Sequence, residues 1–373
     1  MKIIVITHVK HCSKNGQYYA YGPYVREMNL WFKHVKQVTV IAPLDKSLGP
    51  DKIDLAYEHP SIKFIAVPEF HFTSVSGIIK SVFVIPYILF IVCWHMMRAS
   101  HIHLRCPGNM GLLGALIQIL FPWKKKTAKY AGNWDPKSKQ PLSYRLQKWI
   151  LRNTWLTHQM KALVYGDWPN RTKNILPFFT ASYSETDKKT VPEKSIHDKP
   201  LRFIYVGTLT PNKQPLLALD VFYELFKMGK PVEMHFYGEG IHKQLLIEKI
   251  ASYHLADNVF VHGNVDAEIL KAAYLESHFL LFFSKSEGWP KAVAEAMWWG
   301  CVPITTPVSC VPWMIQSPDR GLLINQNTPS TIAQYMNEHI EKSEWFSLTS
   351  KEAIVWSRKF TLDFFGKSIS HFV

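Results

Sequence analysis

The residues best suited to chemistry lie between Ser284 and Pro303, in the stretch SKSEGWPKAVAEAMWWGCVP. Two carboxylates, Glu287 and Glu295, stand there with seven residues between them. Gly288 and Pro290 follow the first, and a helical pattern then runs to Gly300. Pro at a first helical position and Gly just past the end are the expected helix punctuation. The apolar run Phe279–Phe283 before it reads as a buried parallel strand. Strand, tight turn and helix N-terminus in that order make an anion site, because N–H groups and the helix dipole point the same way. The chemistry predicted is phosphate binding beside two carboxylates that accept hydrogen bonds from hydroxyls.

Three further strand-to-helix turns lie upstream. Val206 to Lys213 (VGTLTPNK) places Gly207, Thr208 and Lys213 around a glycine turn, and a lysine beside a helix start suits a diphosphate. A solvated turn lysine is the plain alternative, and the Gly and Lys spacing is not that of a P-loop. Tyr237-Gly238-Glu239-Gly240 lacks the third glycine of a dinucleotide fingerprint, which argues against a nicotinamide cofactor. His262-Gly263-Asn264-Val265 closes another strand and either lines a base pocket or is a plain loop.

Two alternating sets of strands and helices must position these turns. In the first half Ile3–Thr7, Val38–Ala42, Lys63–Val67, His101–Arg105 and Thr127–Ala131 read as strands, with helices near 24–36 and 144–158. His8 to Pro23 reads as a polar, Gly-containing segment. The second set begins at Leu201 and continues through Val232–Tyr237, Val259–His262, Phe279–Phe283, Val302–Thr305 and Gly321–Ile324. The fold class is therefore α/β, two Rossmann-like doubly wound domains facing across a cleft. The expected division is residues 1–180, 181–350, and a C-terminal helix over 351–373. Phe179–Pro200 is polar and reads as the interdomain linker or the lead-in to it. In the first domain, loops at the carboxyl ends of strands hold His8, Lys10, His11, Arg105, Asn133 and Asp135.

Composition narrows the partners. With 373 residues, 47% apolar and 14% aromatic, the chain is globular and longer than one ordinary core. Its five cysteines are scattered without a CxxC, which favours reduced structural thiols over disulfides or metal ligation. No signal peptide is read at the start. Residues 1–178 hold 24 Lys+Arg against 8 Asp+Glu, a net of +16, and the remainder holds 19 against 21, a net of −2. The first half thus expects an anionic partner: membrane headgroups, nucleic acid or a phosphorylated substrate. Ser81–Trp94 is the most apolar run, but at 14 residues with Pro86 inside it falls short of a bilayer crossing. It reads as a helix packed on the sheet or one dipping into a bilayer surface. Phe121–Lys126 and Tyr144–His158 interleave basic residues with tryptophan, which suits a membrane interface as well as a solvated face.

The segments GTLTPNK, FYGEG, VFVHGNV and EGWPKAVAEAMWWGCVPI occur here in one order. In that order they resemble the donor-binding domain of retaining GT-B glycosyltransferases of the large family 4 type, and the last segment is that family's E-x7-E motif. The resemblance covers residues 201–358. Over 1–178 it is looser, resting on RCPGNMGLLG and KYAGNWDP, which are similar to segments of bacterial surface-polysaccharide transferases.

The resemblance implies roles. Glu287 bonds donor-sugar hydroxyls, and Glu295 bonds the ribose. The backbone amides of Trp289, Lys291 and Ala292, after Gly288, face the diphosphate, since Pro290 has no N–H. Lys213 is the phosphate lysine, and Glu287 and Lys213 are the catalytic positions. Gly207, Thr208, Gly238, Asn264 and Val265 complete the donor side. Thr208 stands where the family usually has arginine, with Lys291, Arg105 or Lys10 as candidate replacements. A histidine common near Thr127–Ala131 is absent, and Gly132–Asp135 stand there. Glu287 and Glu295 are then not a glycosidase acid and nucleophile pair. The implied activity is retaining transfer of a sugar from a UDP- or GDP-linked donor to a lipid-linked, polysaccharide or lipopolysaccharide acceptor. No metal, cofactor or nucleic acid is required. The expected setting is cytoplasmic, peripheral on the inner membrane through the basic first domain. The rivals are a nucleotide-sugar 2-epimerase of the same fold and a non-catalytic membrane-binding module.

Overall fold

Runs of β-branched and apolar residues become parallel strands, and the amphipathic runs between them become the covering helices. The computed structural model describes residues 1–45, 47, 49–51, 53–70, 74–197 and 200–373. They fall into two units, Met1–Phe179 with Phe364–Val373, and Thr180–Asp363.

In the first unit the order is β1 (Lys2–Ile6), β2 (His11–Lys14), β3 (Gln17–Tyr21), α1 (Gly22–Phe32), β4 (Gln37–Asp45), β5 (Asp54–Ala56), β6 (Ile62–Val67) and α2 (Val75–Arg98). Then come β7 (His101–Cys106), α3 (Asn109–Ile117), β8 (Lys125–Tyr130), α4 (Leu142–Arg152), β9 (Met160–Tyr165) and β10 (Ile175–Phe178). The parallel strands lie in the order β10-β9-β8-β7-β1-β4, with β6 on the far side of β4. Winding direction therefore reverses between β1 and β7.

Three sequence expectations change here. The polar segment His8–Pro23 contains a hairpin, β2 against β3, with Lys14 opposite Gln17. Its turn is Asn15-Gly16 at φ 52° and 76°, the pair a two-residue hairpin turn requires. His11 is consequently not a loop residue. It is 1% exposed, with Nε2 2.8 Å from the Tyr57 hydroxyl and Nδ1 2.8 Å from the Val9 carbonyl. Secondly, the apolar run is part of a 24-residue helix, α2, because Pro86 sits on its exposed face and leaves the helix unbroken. By length and composition that helix is able to cross a membrane. Thirdly, of the basic run Lys124–Lys126 only Lys125 is exposed to solvent. Lys124 Nζ donates to the carbonyls of Met97 and Ala99 at the end of α2, and buried Lys126 donates to Gln118. Burial pushes the Lys126 amine down to about 8.

The second unit runs β11 (Leu201–Val206), α5 (Pro215–Lys227), β12 (Val232–Tyr237), α6 (Lys243–Ser252), β13 (Val259–Gly263), α7 (Ala267–Glu276), β14 (Phe279–Phe282) and α8 (Lys291–Trp298). It continues with β15 (Val302–Thr305), α9 (Val311–Ile315), β16 (Leu322–Leu323), α10 (Pro329–Ile340) and α11 (Ser343–Ser357). The last helix, α12 (Leu362–Ser370), contributes its residues from Phe364 onward to the first unit. The six strands are parallel in the order β13-β12-β11-β14-β15-β16. Phe203, Phe236, Phe279 and Leu281 fill the core between this sheet and its helices.

The polar stretch Phe179–Pro200 is not a free linker either. From Thr180 it belongs to the second unit, where Ile196 is buried in the core and Lys194 Nζ donates to the carbonyls of Tyr274, Ser277 and Trp299. Asp198 and Lys199 lie outside the described residues.

The buried histidines make stability depend on pH. Desolvation lowers His11 and His101 to about 4, against an ordinary value of 6.5. Their contribution is complete above pH 6.5, where folded and unfolded chains both keep them neutral. It is lost as pH falls toward 4, because only the unfolded chain takes up protons in that window. Going from pH 6.5 to 5.5 should cost about 1 kcal/mol per histidine. Thermal unfolding followed by circular dichroism should show the melting point falling over that interval; an unchanged melting point would contradict two neutral buried imidazoles.

Candidate active site

In the second sheet the winding direction reverses between β11 and β14, and the loops leaving their carboxyl ends part there. Lys213 follows β11 and Glu287 follows β14. The two meet, Lys213 Nζ pairing with Glu287 Oε1, with side chains 24% and 8% exposed. The same ammonium lies 5.3 Å from the centre of the Phe282 ring.

Neighbouring backbone holds this pair in place. The Lys285 amide donates to the Asn212 carbonyl at 2.8 Å, and Asn212 Nδ2 donates to the Ser286 carbonyl at 3.1 Å. Thr306 Oγ1 donates to the Ser284 carbonyl and Ser309 Oγ to that of Gly288, at 2.7 and 3.0 Å. From beneath, the Tyr205 hydroxyl lies 3.1 Å from the Thr208 carbonyl and 3.3 Å from that of Lys213. Burial, and secondly the Glu287 charge, hold that phenol protonated well above its usual range.

Glycines bring the adjacent turns together. The Gly207 amide donates to the Tyr237 carbonyl and the Gly238 amide to that of Gly263, at 3.0 and 2.8 Å. Gly238 has φ 138°, and a Cβ there would fall 1.9 Å from the Gly207 carbonyl oxygen. Thr208 and Asn264 are exposed beside this seam and Val265 is half-buried. His262 stacks on Tyr237 at 4.5 Å and 10°.

The helix after Glu287 begins as its sequence demands. Pro290 is its extended N-cap, and the amides of Val293 and Ala294 both donate to the Pro290 carbonyl. The start of α8 therefore presents the amides of Lys291 and Ala292 toward the crevice. Trp289 contributes backbone only, since its indole packs among Trp313, Trp356 and Phe360 with ring centres 5.6–6.4 Å apart. Glu295 Oε1 accepts a 2.5 Å hydrogen bond from Ser182, and the Tyr274 hydroxyl, held protonated by burial and by the nearby Glu295 charge, donates to the Ala292 carbonyl at 3.4 Å. Ser182 and Tyr205 were not singled out from sequence. One lies in a polar stretch and the other in a strand, where tyrosine is an ordinary strand former.

The first-unit candidates do not act as one cluster. His8 is at the reversal between β1 and β7, on a cavity of about 300 Å³ that Glu69, Phe70, Gly108, Asn109 and Tyr144 also line. Lys10 pairs with Asp45 at 2.8 Å and lies 3.7 Å from Glu69. Arg105 is buried and paired with Glu27 at 2.8 Å, and that carboxylate also holds Lys129 at 3.0 Å. Both candidate replacements from this unit for the missing arginine are thus already matched to carboxylates. Asn133 and Asp135 accept from the amides of Asp135 and Lys137, closing local turns. No group of three or more His, Cys, Asp or Glu able to hold a metal ion occurs among the described residues.

Residues 187–353 match the family model of glycosyl transferases group 1. That stretch contains Lys213, Glu287 and Glu295. A serotype-specific mannosyltransferase of Escherichia coli, WbdA, is 28% identical over 156 residues, 41% of this chain. The match spans 19% of that relative, about a fifth of its length. Among solved structures, HepE of Anabaena in complex with UDP and glucose superposes with a TM-score of 0.69 at 14% identity, covering 100% of this chain and 98% of that one. Sucrose-phosphate synthase of Thermosynechococcus elongatus gives 0.67 at 14% identity, covering 100% and 98%. The fold is GT-B, with two Rossmann-like domains.

The pair at the crevice has a stability signature. Lys213→Ala leaves a carboxylate that is 8% exposed without its cation, and should cost about 1–2 kcal/mol, reduced from the fully buried case because Lys213 is partly solvated. Adding Glu287→Gln should recover most of that loss. Urea unfolding of the two single variants and the double variant measures the coupling; strictly additive losses would mean that the pair does not interact.

Proposed function

We propose that this chain is a retaining glycosyltransferase of the family 4 type. It moves a sugar from a UDP- or GDP-linked donor to a lipid-linked or polysaccharide acceptor, at the cytoplasmic face of the inner membrane. The observation that carries this reading is the Lys213–Glu287 pair, set at the winding reversal beside a helix start, inside the stretch that matches the family model.

The donor diphosphate sits before α8, where the Lys291 and Ala292 amides face it. Lys213 turns from Glu287 to the phosphate, and the released Glu287 oxygens accept hydrogen bonds from sugar hydroxyls. As the anomeric C–O bond breaks, negative charge grows on the leaving phosphate oxygen, where fixed dipoles and Lys213 stabilise it. The acceptor hydroxyl adds to the face the diphosphate leaves, and its proton passes to the departing phosphate oxygen. Glu295, supported by Ser182, bonds the ribose. The helix start and Lys213 supply the positive charge, and no metal is required.

A thermal-shift panel of nucleotides and nucleotide sugars should show one UDP- or GDP-sugar raising the melting point. With that donor, Glu287→Ala and Lys213→Ala should each lower turnover by about 10²–10³-fold. Full turnover by Glu287→Ala would overturn the site, and an epimerised nucleotide sugar as sole product would overturn the reaction.

A further inference from the structure

One face of the first unit carries a surface that glycosyl transfer leaves unused. Helix α2 packs against α3, and α3 against α4. All three share one core with β1, β7, β8 and β9, so they form a single layer over one face of the sheet. On α2 the inward side chains Ile88, Val92 and Met96 are fully buried. Its other side exposes Phe83 at 76%, Phe90 at 64% and Trp94 at 44%. Leu142 at 78% and Trp149 at 59% are exposed on α4, and Trp123 at 65% in the turn before β8. A soluble monomer rarely leaves so many large apolar side chains together in water.

Charge names what covers them. Residues 70–166, which contain the whole layer, hold 13 Lys+Arg and a single acidic residue, Asp135. Lys80, Arg98, Lys125, Arg145 and Arg152 are exposed there, and none is paired with a carboxylate among the described residues. The Arg98 guanidinium stacks 3.3 Å over Trp94, joining cation to apolar surface at the end of α2. A protein partner would have to bring many carboxylates; a bilayer of anionic lipids supplies a negative plane and an apolar interior together.

The same contacts decide between lying on a membrane and crossing it. The window Ile79–Arg98 has mean hydropathy 1.8. Crossing would nevertheless require Ile88, Val92 and Met96 to leave the sheet core, stripping the sheet of its cover. A bilayer that met this face would therefore find the helix lying in its plane, inner face on protein and outer face on lipid.

We propose that the outer face of the α2–α3–α4 layer docks in plane on an anionic bilayer. Phe83, Phe90, Trp123 and Trp149 enter the interface, and the five exposed cations meet the headgroups. The proposal deepens the reading of a lipid-linked acceptor, yet docking itself needs neither donor nor turnover.

Flotation of the intact purified protein tests it, using vesicles of phosphatidylcholine alone and with roughly one third phosphatidylglycerol. The protein should float with the anionic vesicles, and less so in roughly 0.5 M salt. Phe83→Glu with Phe90→Glu should weaken binding at least tenfold on both vesicle types. Arg145→Ala with Arg152→Ala should weaken it on the anionic vesicles alone. Absence of binding by the intact protein, or undiminished binding by the Phe83→Glu, Phe90→Glu variant, would overturn the proposal. So would a dimer in vesicle-free solution that this variant converts to monomer, since a second copy would then be the occupant. Turnover on a water-soluble acceptor is read separately: retained turnover with lost docking tells failure of this surface apart from failure of the transferase reading.

Discussion

A nearly buried carboxylate is tolerated only beside a cation, and in the second unit that requirement links two loops that the sheet would otherwise send apart. Glu287 ends the β14 loop and Lys213 ends the β11 loop. Because winding reverses between these strands, no helix covers their carboxyl ends. The ion pair spans the gap so formed. It also keeps both groups oriented in a crevice where the proposed donor would bring each a second partner, phosphate for Lys213 and hydroxyls for Glu287. An apolar pair in its place would hold the loops equally well but could not exchange partners.

The rest of the second unit preserves that gap. Tyr205 braces one loop from below, and Ser309 and Thr306 brace the other from the side. In the seam of Gly207, Gly238 and Gly263, Gly238 lets its turn approach the Gly207 carbonyl more closely than any side chain permits. The first unit answers the same winding reversal differently. There the buried charges are Glu27 with Arg105 and Lys129, two cations on one carboxylate. They sit inside the unit, with side chains 10% exposed or less.

Much of this was legible in sequence because the signals were local. The runs Ile3–Thr7, Val38–Ala42 and Phe279–Phe283 fill buried parallel strands, which need apolar residues on both faces. The turn Glu287-Gly288-Trp289-Pro290 and the glycine at 300 mark the helix of the candidate site. What was not legible depended on partners far along the chain. Lysines at 124 and 126 look like a solvated pair until the carbonyls of Met97, Ala99 and Gln118 are known to receive them. Arg105 and Lys10 look available until Glu27 and Asp45 are placed beside them. Pro86 looks like a helix break until it is known to face outward. The hairpin over residues 11–21 differs in kind: Asn15-Gly16 announced it, and the surrounding polarity masked the signal.

The stretch from Thr180 to Pro200 has a consequence for how such proteins recombine. It looks like a tether, the natural seam at which to exchange one second unit for another. Yet Ser182 supports Glu295, the Tyr183 hydroxyl receives the Trp299 indole, and Lys194 closes three carbonyls at the back of the sheet. A cut at Leu201 would divide the second unit from part of its own interior. The second unit begins at Thr180, so an exchange of that unit by recombination must carry the whole of that stretch with it.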